Sequence, residues 1–302
     1  MGNMFGFLNV WKPRGMSSYD VIRHVKRCVG RGVKLGHAGT LDPLAEGVLV
    51  VCVGPATRLA EAIHAYDKEY LAVIRLGAVS STDDAEGRID VQPVSAEPDD
   101  RQIRDVLKKF VGAIDQVPPA HSAVKVAGKR AYQLARRGCA PDLAAKRVVI
   151  SALDLLDYTW PEARVRVRCG TGTYIRALAR DVGAALGVGG YCGDLVRERV
   201  GPFRADAAVA LERITAEGVE GLLLPAVLAL PAGARVGVTD AESAELLRGR
   251  AIPAADLPAG AADQAWLGAV DPQGRLIALV QLDPAGATLR PEKTFPVEEA
   301  PE

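Results

Sequence analysis

Gly36-His37-Ala38-Gly39-Thr40-Leu41-Asp42-Pro43-Leu44-Ala45-Glu46-Gly47-Val48-Leu49-Val50 sets one carboxylate, Asp42, in a loop punctuated by glycine and proline. The apolar run that follows, Val48 to Val53, predicts a buried strand. Asp42 therefore stands where a rigid element holds a loop and the loop presents chemistry. Taken alone, an Asp-Pro pair is an ordinary turn signal. His37, at the loop entrance, would by itself be read as a turn residue with its hydrogen bonds satisfied.

Working outward, Ser17 or Ser18 caps a predicted helix whose apolar face carries Val21, Ile22, Val25 and Val29. Beyond the strand, a short helix is expected from Ala56 to about Ala65, then a strand from Tyr70 to Leu76 closed by Gly77. Ser81 to Gly87 is acidic and turn-rich, a loop. From Asp99 the period is helical, with Ile103, Val106, Leu107 and Phe110 on one face. Pro118-Pro119 breaks the chain ahead of an expected strand, Ser122 to Val126, and a short helix, Tyr132 to Arg137. Strands follow around Val148 to Leu156 and Ala163 to Cys169, the second alternating Val165/Val167 against Arg164/Arg166/Arg168. Gly170-Thr171-Gly172-Thr173 turns into a helix from Tyr174 to Leu186, and Asp194 to Val200 reads as a further strand.

Strands and helices mix without a strict βαβ repeat, which predicts an α+β fold. Its central sheet should be mixed, largely antiparallel and flanked by helices. A composition shift near Ala232-Gly233 separates residues 1–231 from a small β-rich C-terminal domain, residues 232–302. There Thr239 and Glu242 make a capping box for a helix to Arg248, and Trp266 to Val270 and Leu276 to Gln281 read as strands.

Bulk composition narrows the function classes. No apolar run is long enough to cross a bilayer, and the N-terminus has no basic start followed by an apolar stretch, so a cytoplasmic protein is expected. The five cysteines are scattered and never spaced as CxxC, and the four histidines form no HxH or HxxxH. No metal site and no disulfide framework is expected. The 37 basic and 37 acidic residues cancel overall but not locally. Residues 205–302 hold 7 Lys/Arg against 15 Asp/Glu, leaving 30 against 22 for residues 1–204. The basic residues of the first part cluster at Trp11 to His37 and again at Lys125 to Arg147. Two such clusters in one half favour a phosphate backbone as partner.

Four further stretches accompany the Asp42 loop: Leu8-Asn9-Val10-Trp11-Lys12-Pro13-Arg14-Gly15-Met16-Ser17-Ser18, Lys68-Glu69-Tyr70, Pro118-Pro119 to Gly138, and Gly172-Thr173-Tyr174-Ile175-Arg176. Together, in this order, the five resemble the TruB-type pseudouridine synthases from about Phe7 to Phe203. The resemblance implies the pseudouridine synthase fold with a PUA-like C-terminal domain. It also implies isomerisation of a uridine, position 55 in the T loop of tRNA, without cofactor. Asp42 matches the family's catalytic carboxylate, Arg176 the arginine paired with it, and Tyr70 the active-site tyrosine. His37 matches a histidine that enters the T loop beside the target base. Tyr174 and Leu195 match residues lining the uracil pocket, Asp84 a polar loop residue near substrate, and Lys12 is assigned to substrate binding with them. The partner implied is the tRNA T arm, with no DNA and no membrane, and a monomer is expected.

The chemistry explains these residue types. Breaking the N1–C1′ bond and joining C5 to C1′ needs a carboxylate to attack or to stabilise positive charge. A carboxylate in a water-poor pocket needs an opposite charge beside it. A flat ring can stack on an extruded base, and an ordinary phenol is a poor base at neutral pH. Two rivals stay open on residues alone: an RNA-folding module whose chemistry is incidental, and a retaining glycoside hydrolase with Glu46 as second carboxylate. The acidic balance of residues 205–302 argues against a large phosphate footprint for the C-terminal domain.

Overall fold

The computed structural model describes residues 4–122, 125–126, 129–131 and 143–296. Seven strands form the body of the main sheet: β1 (Gly6–Lys12), β2 (Glu46–Val53), β3 (Lys68–Leu76), β4 (Gly112–Gln116), β5 (Lys146–Thr159), β6 (Glu162–Cys169) and β7 (Gly190–Val200). Their order across the sheet is β1-β2-β7-β3-β6-β5-β4, with Val209–Ala210 outside β1. Only β7 beside β2 and Val209–Ala210 beside β1 run parallel, so the sheet is mixed and largely antiparallel as expected.

Hydrophobic periodicity explains most of these elements and fails where both faces are covered. Every residue of β1 except Trp11 is buried, so no alternation marks it as a strand. β4 is missed for the opposite reason: it is a short edge strand whose side chains are mostly part-exposed. The expected helix at 56–65 divides into a 3₁₀ segment, Gly54–Leu59, and α2 (Ala60–Ala65). The short helix expected at 132–137 lies outside the described residues, as do the side chains of Lys125, Lys129, Arg130, Arg136 and Arg137.

Helix α1 (Ser18–Cys28) starts at a complete capping box, in which the Ser17 hydroxyl accepts from the Asp20 amide and Asp20 accepts from the Ser17 amide. Such a cap contributes about 1 kcal/mol. The helix buries Val21 and Val25 against Leu8, Val10, Leu49 and Val51. α3 (Asp100–Lys108) and α4 (Ile175–Ala185) lie where Ile103, Leu107, Leu178 and Val182 meet Ile74, Val165 and Val167. This packing fixes the first turn of α4 above the strands that carry the site.

The C-terminal sheet runs β8 (Arg235–Gly237), β9 (Leu267–Val270), β10 (Leu276–Leu282), β11 (Thr288–Thr294), then Ile252–Pro253. It packs under α5 (Asp240–Leu247), capped by Thr239 and Glu242 as the sequence predicts. Leu276, Leu279 and Phe295 share a core with Phe7, Val50 and Phe203, and the Phe5 and Phe295 rings stack at 5.3 Å. The two sheets are thereby joined by apolar burial.

Candidate active site

The Asp42 loop is braced from three sides before it meets any substrate. Ser18 donates its hydroxyl to Leu41 O at 2.9 Å and accepts from Leu41 N at 2.8 Å. The Gly15 amide donates to Pro43 O, and Arg14 Nε donates to Leu44 O at 3.1 Å. From β7, the buried Arg197 donates to Val48 O at 2.7 Å, Gly39 O at 3.1 Å and Thr40 O at 3.4 Å. Gly47 is required here: at φ +109° its main chain runs so close to Arg197 that a Cβ would lie 2.3 Å from Arg197 O.

Arg176 stands in the first turn of α4 with its side chain 6% exposed. Its Nε lies 2.9 Å from Asp42 Oδ2, an ion pair without hydrogen-bond alignment. Its Nη1 lies 3.2 Å from Asp84 Oδ2 and donates to Thr82 O at 3.0 Å, while Nη2 donates to His121 O at 3.0 Å. Asp84 is buried, whereas the Asp42 side chain keeps 35% exposure. The guanidinium thus sits between two carboxylates, one enclosed and one open. Among the described residues no hydrogen bond is donated to the Asp42 carboxylate.

That open side faces a cavity of about 550 Å³ lined by Asp42, Tyr70, Asp84, Tyr174, Arg176, Leu195 and Arg197, among others. The size is ordinary for a small-molecule site. Six of the eight sequence-assigned residues therefore converge: Asp42, Tyr70, Arg176, Tyr174, Leu195 and Asp84. Burial pushes the Tyr70 phenol above its usual range, with Arg197 opposing. Burial likewise raises Tyr174, whose main chain is held at both ends by the Gln116 amide: Tyr174 N donates to Gln116 Oε1 at 2.8 Å and Gln116 Nε2 donates to Tyr174 O at 3.2 Å.

Lys12 and His37 do not line the cavity. Lys12 is fully buried, and its ammonium donates to Pro13 O at 2.9 Å and Met16 O at 2.7 Å, tightening the loop that braces Asp42. Desolvation lowers its pKa to about 8, with the charge of Asp42 opposing. His37 lies on the short strand Leu35–His37 beside β2, with Nδ1 buried and unpartnered. Its pKa is lowered by burial first, then by Arg197 and His64.

Sequence reasoning missed Arg197, Lys68, Gln116, His64, His121 and Glu86, five of which line the cavity while Gln116 stands behind Tyr174. An arginine on a strand reads as solvent-facing, and nothing local marks Arg197 as buried. Glu46, the second carboxylate that a retaining glycosidase would need, is not among the lining residues, and Arg176 faces Asp42 instead. The hydrolase reading falls. Among the described residues no three His, Cys, Asp or Glu side chains converge as a metal-binding group.

A family model described as TruB family pseudouridylate synthase (N terminal domain) matches residues 26–175. The tRNA pseudouridine synthase B of Syntrophomonas wolfei is 39% identical over 98% of this chain and 100% of its own length. The chain belongs to the TruB family. The tRNA pseudouridine synthase B of Mycobacterium sp. strain KMS is 43% identical, covering 92% of this chain and 93% of its own. Among solved structures, the crystal structure of a Cbf5-Nop10-Gar1 complex contains a chain that superposes with TM-score 0.75 at 26% identity, across 96% of this chain and 85% of that one. The TruB-family chain thus carries its family's fold, with the Asp42–Arg176–Asp84 row lining the 550 Å³ cavity.

Proposed function

We propose that this enzyme isomerises uridine to pseudouridine at position 55 in the T loop of tRNA. The observation that carries the reading is the Asp42 carboxylate, open to the cavity and, among the described residues, paired only with Arg176. Isomerisation cleaves N1–C1′, turns the base and joins C5 to C1′. The C5 proton is released and N1 gains one, so no second substrate or redox partner is consumed. Asp42 supplies negative charge to the electron-poor carbon that appears when the glycosidic bond opens.

The other roles follow from chemistry and position. Arg176 orients Asp42, and Asp84 holds the far side of the guanidinium. Tyr70, its phenol pushed further from neutrality by burial, serves as a stacking ring rather than a base. Tyr174 and Leu195 complete the wall around the base. His37 enters the T loop beside the target nucleotide, offsetting part of the few kcal/mol that extrusion costs. Lys12 acts on the substrate only through the loop it tightens.

For RNA, α1 offers Tyr19, Arg23, Lys26 and Arg27 exposed along its length, with the Arg23 guanidinium 5.8 Å from the Tyr19 ring centroid. These groups suit the phosphates and folded shape of the T arm. We assign catalysis to residues 1–231 and a peripheral role to a PUA-like domain, residues 232–302. The groove of that second sheet is lined by Glu242, Asp256 and Asp271 and by no Lys or Arg, a poor surface for phosphate. A monomer working in the cytoplasm completes the proposal; among the described residues no helix is long and apolar enough to cross a membrane.

The test is tritium release from tRNA carrying 5-tritiated uridine. Asp42→Asn is expected to release none while binding tRNA within a few-fold of the parent protein. Turnover by that variant at the parent rate would overturn the assignment.

A further inference from the structure

α4 carries a second arginine one turn after Arg176, and both reach the same two loops. Arg180 Nη1 donates to Asp83 Oδ2 at 2.9 Å, and Nη2 donates to Val117 O at 2.9 Å. Its Nε donates to Asp181 Oδ1 at 2.9 Å. Arg176 meets the same segments at Thr82 O and His121 O. The two arginines therefore staple the 82–84 turn and the 117–121 segment to one helix face.

The 82–84 turn needs such a staple. Asp83 sits at φ +62°, a left-handed conformation that residues with a Cβ adopt rarely, aspartate more readily than most. From there its carbonyl accepts from Cys192 N on β7 at 3.0 Å, and the next residue, Asp84, points inward to Arg176. Within the turn, Asp84 Oδ1 accepts from Glu86 N at 3.0 Å. The Asp83 side chain is only 16% exposed, so its carboxylate depends on Arg180 for a partner.

We propose that Arg180 is a positioning residue for the isomerisation, pinning the left-handed turn at Asp83 that delivers Asp84 to Arg176 and so sets the guanidinium against Asp42. The proposal rests on the reading that Asp42 and Arg176 act on uridine. Removing Arg180 leaves Asp83 with a mostly enclosed, unpaired carboxylate and takes one restraint from its left-handed conformation. The turn relaxes, Asp84 leaves Arg176, and the guanidinium loses one of its two carboxylate partners.

The experiment is single-turnover pseudouridine formation at saturating tRNA, with tRNA affinity measured beside it. Arg180→Ala is expected to slow the chemical step about 10- to 100-fold with tRNA affinity within about twofold, and Arg180→Lys to fall between it and the parent. Adding Asp83→Gly to Arg180→Ala should restore much of the rate, because glycine takes positive φ freely. Adding Asp83→Ala should not, although it removes the same carboxylate. If Arg180→Ala does not fold, Asp83→Gly against Asp83→Ala in the parent background carries the same contrast. A folded Arg180→Ala at the parent rate, equal behaviour of the Gly and Ala variants, or a loss confined to tRNA affinity would each overturn the proposal. Asp42→Asn run alongside separates the two failures: if it is inactive while Arg180→Ala is not slowed, only the positioning role is lost.

Discussion

Two of the molecule's Asp–Arg pairs are nearly equal in length and differ in everything else. In the C-terminal sheet, Asp271 Oδ2 accepts from Arg275 Nε at 2.7 Å, while Oδ1 accepts from the amides of Gln273 at 3.1 Å and Arg275 at 2.8 Å. That carboxylate is 2% exposed and every donor comes from one tight turn. In the loop ahead of β2, Asp42 lies 2.9 Å from Arg176, receives no amide among the described residues, and keeps a third of its side chain open to the cavity. A saturated carboxylate closes a turn. An unsaturated one, held by a guanidinium from a distant helix, keeps lone pairs open to the cavity.

The contrast is sharpest in paired substitutions. Asp42→Asn should lower turnover by about 1000-fold or more while leaving the thermal midpoint nearly unchanged, since no hydrogen bond to that carboxylate is lost. Asp271→Ala should do the reverse, costing about 1–3 kcal/mol of stability with kcat intact, because two turn amides lose their acceptor. Calorimetry and tritium release on the parent and the two variants check both halves, and equal stability losses would erase the distinction.

Arg176→Lys should lower kcat by about 10- to 100-fold with little change in tRNA affinity. A lysine is a point charge and cannot hold Asp42, Asp84 and two carbonyls together. Activity near the parent level would show that charge alone suffices.

Salt probes the sheets as RNA surfaces. With four to six phosphates neutralised, log K for tRNA should fall by roughly 3–4 per decade of salt, at about 0.7 for each phosphate. Reversing charges at Arg23 and Lys26 should flatten that slope, whereas charge reversal at Arg290 of the C-terminal sheet should leave it unchanged.

The smallest effect concerns His37. Burial holds its folded-state pKa below the ordinary 6.5, so the unfolded chain takes up the proton first. Its contribution is therefore present above about pH 6.5 and is lost as pH falls below that value. Comparing thermal midpoints near pH 7.5 and 5.5 in the parent and in His37→Gln isolates it; the parent should lose more on acidification.

Local signals carried much of the reading. Ser17 with Asp20 and Thr239 with Glu242 marked helix starts because caps depend on residues within one turn. Val48 to Val53 announced a buried strand, and Arg176 was placed in a first helical turn by the Gly-Thr-Tyr ahead of it. β1 escaped because covering both faces removes the alternation that betrays a strand. Lys12, assigned to substrate binding, lies instead under the loop, because the Pro13 and Met16 carbonyls hold its ammonium there.

Sequence alone brought forward six residues that line one cavity, where helices begin and which half bears positive charge, since these follow from side-chain type, motif order and short-range spacing. Only the tertiary structure decided that Arg197 is buried beneath the Asp42 loop, that Gln116 holds Tyr174, and that Arg176 lies between two carboxylates of unequal exposure. Those facts depend on strands and loops far apart in the chain meeting at one helix end, and no local pattern encodes the distance between them.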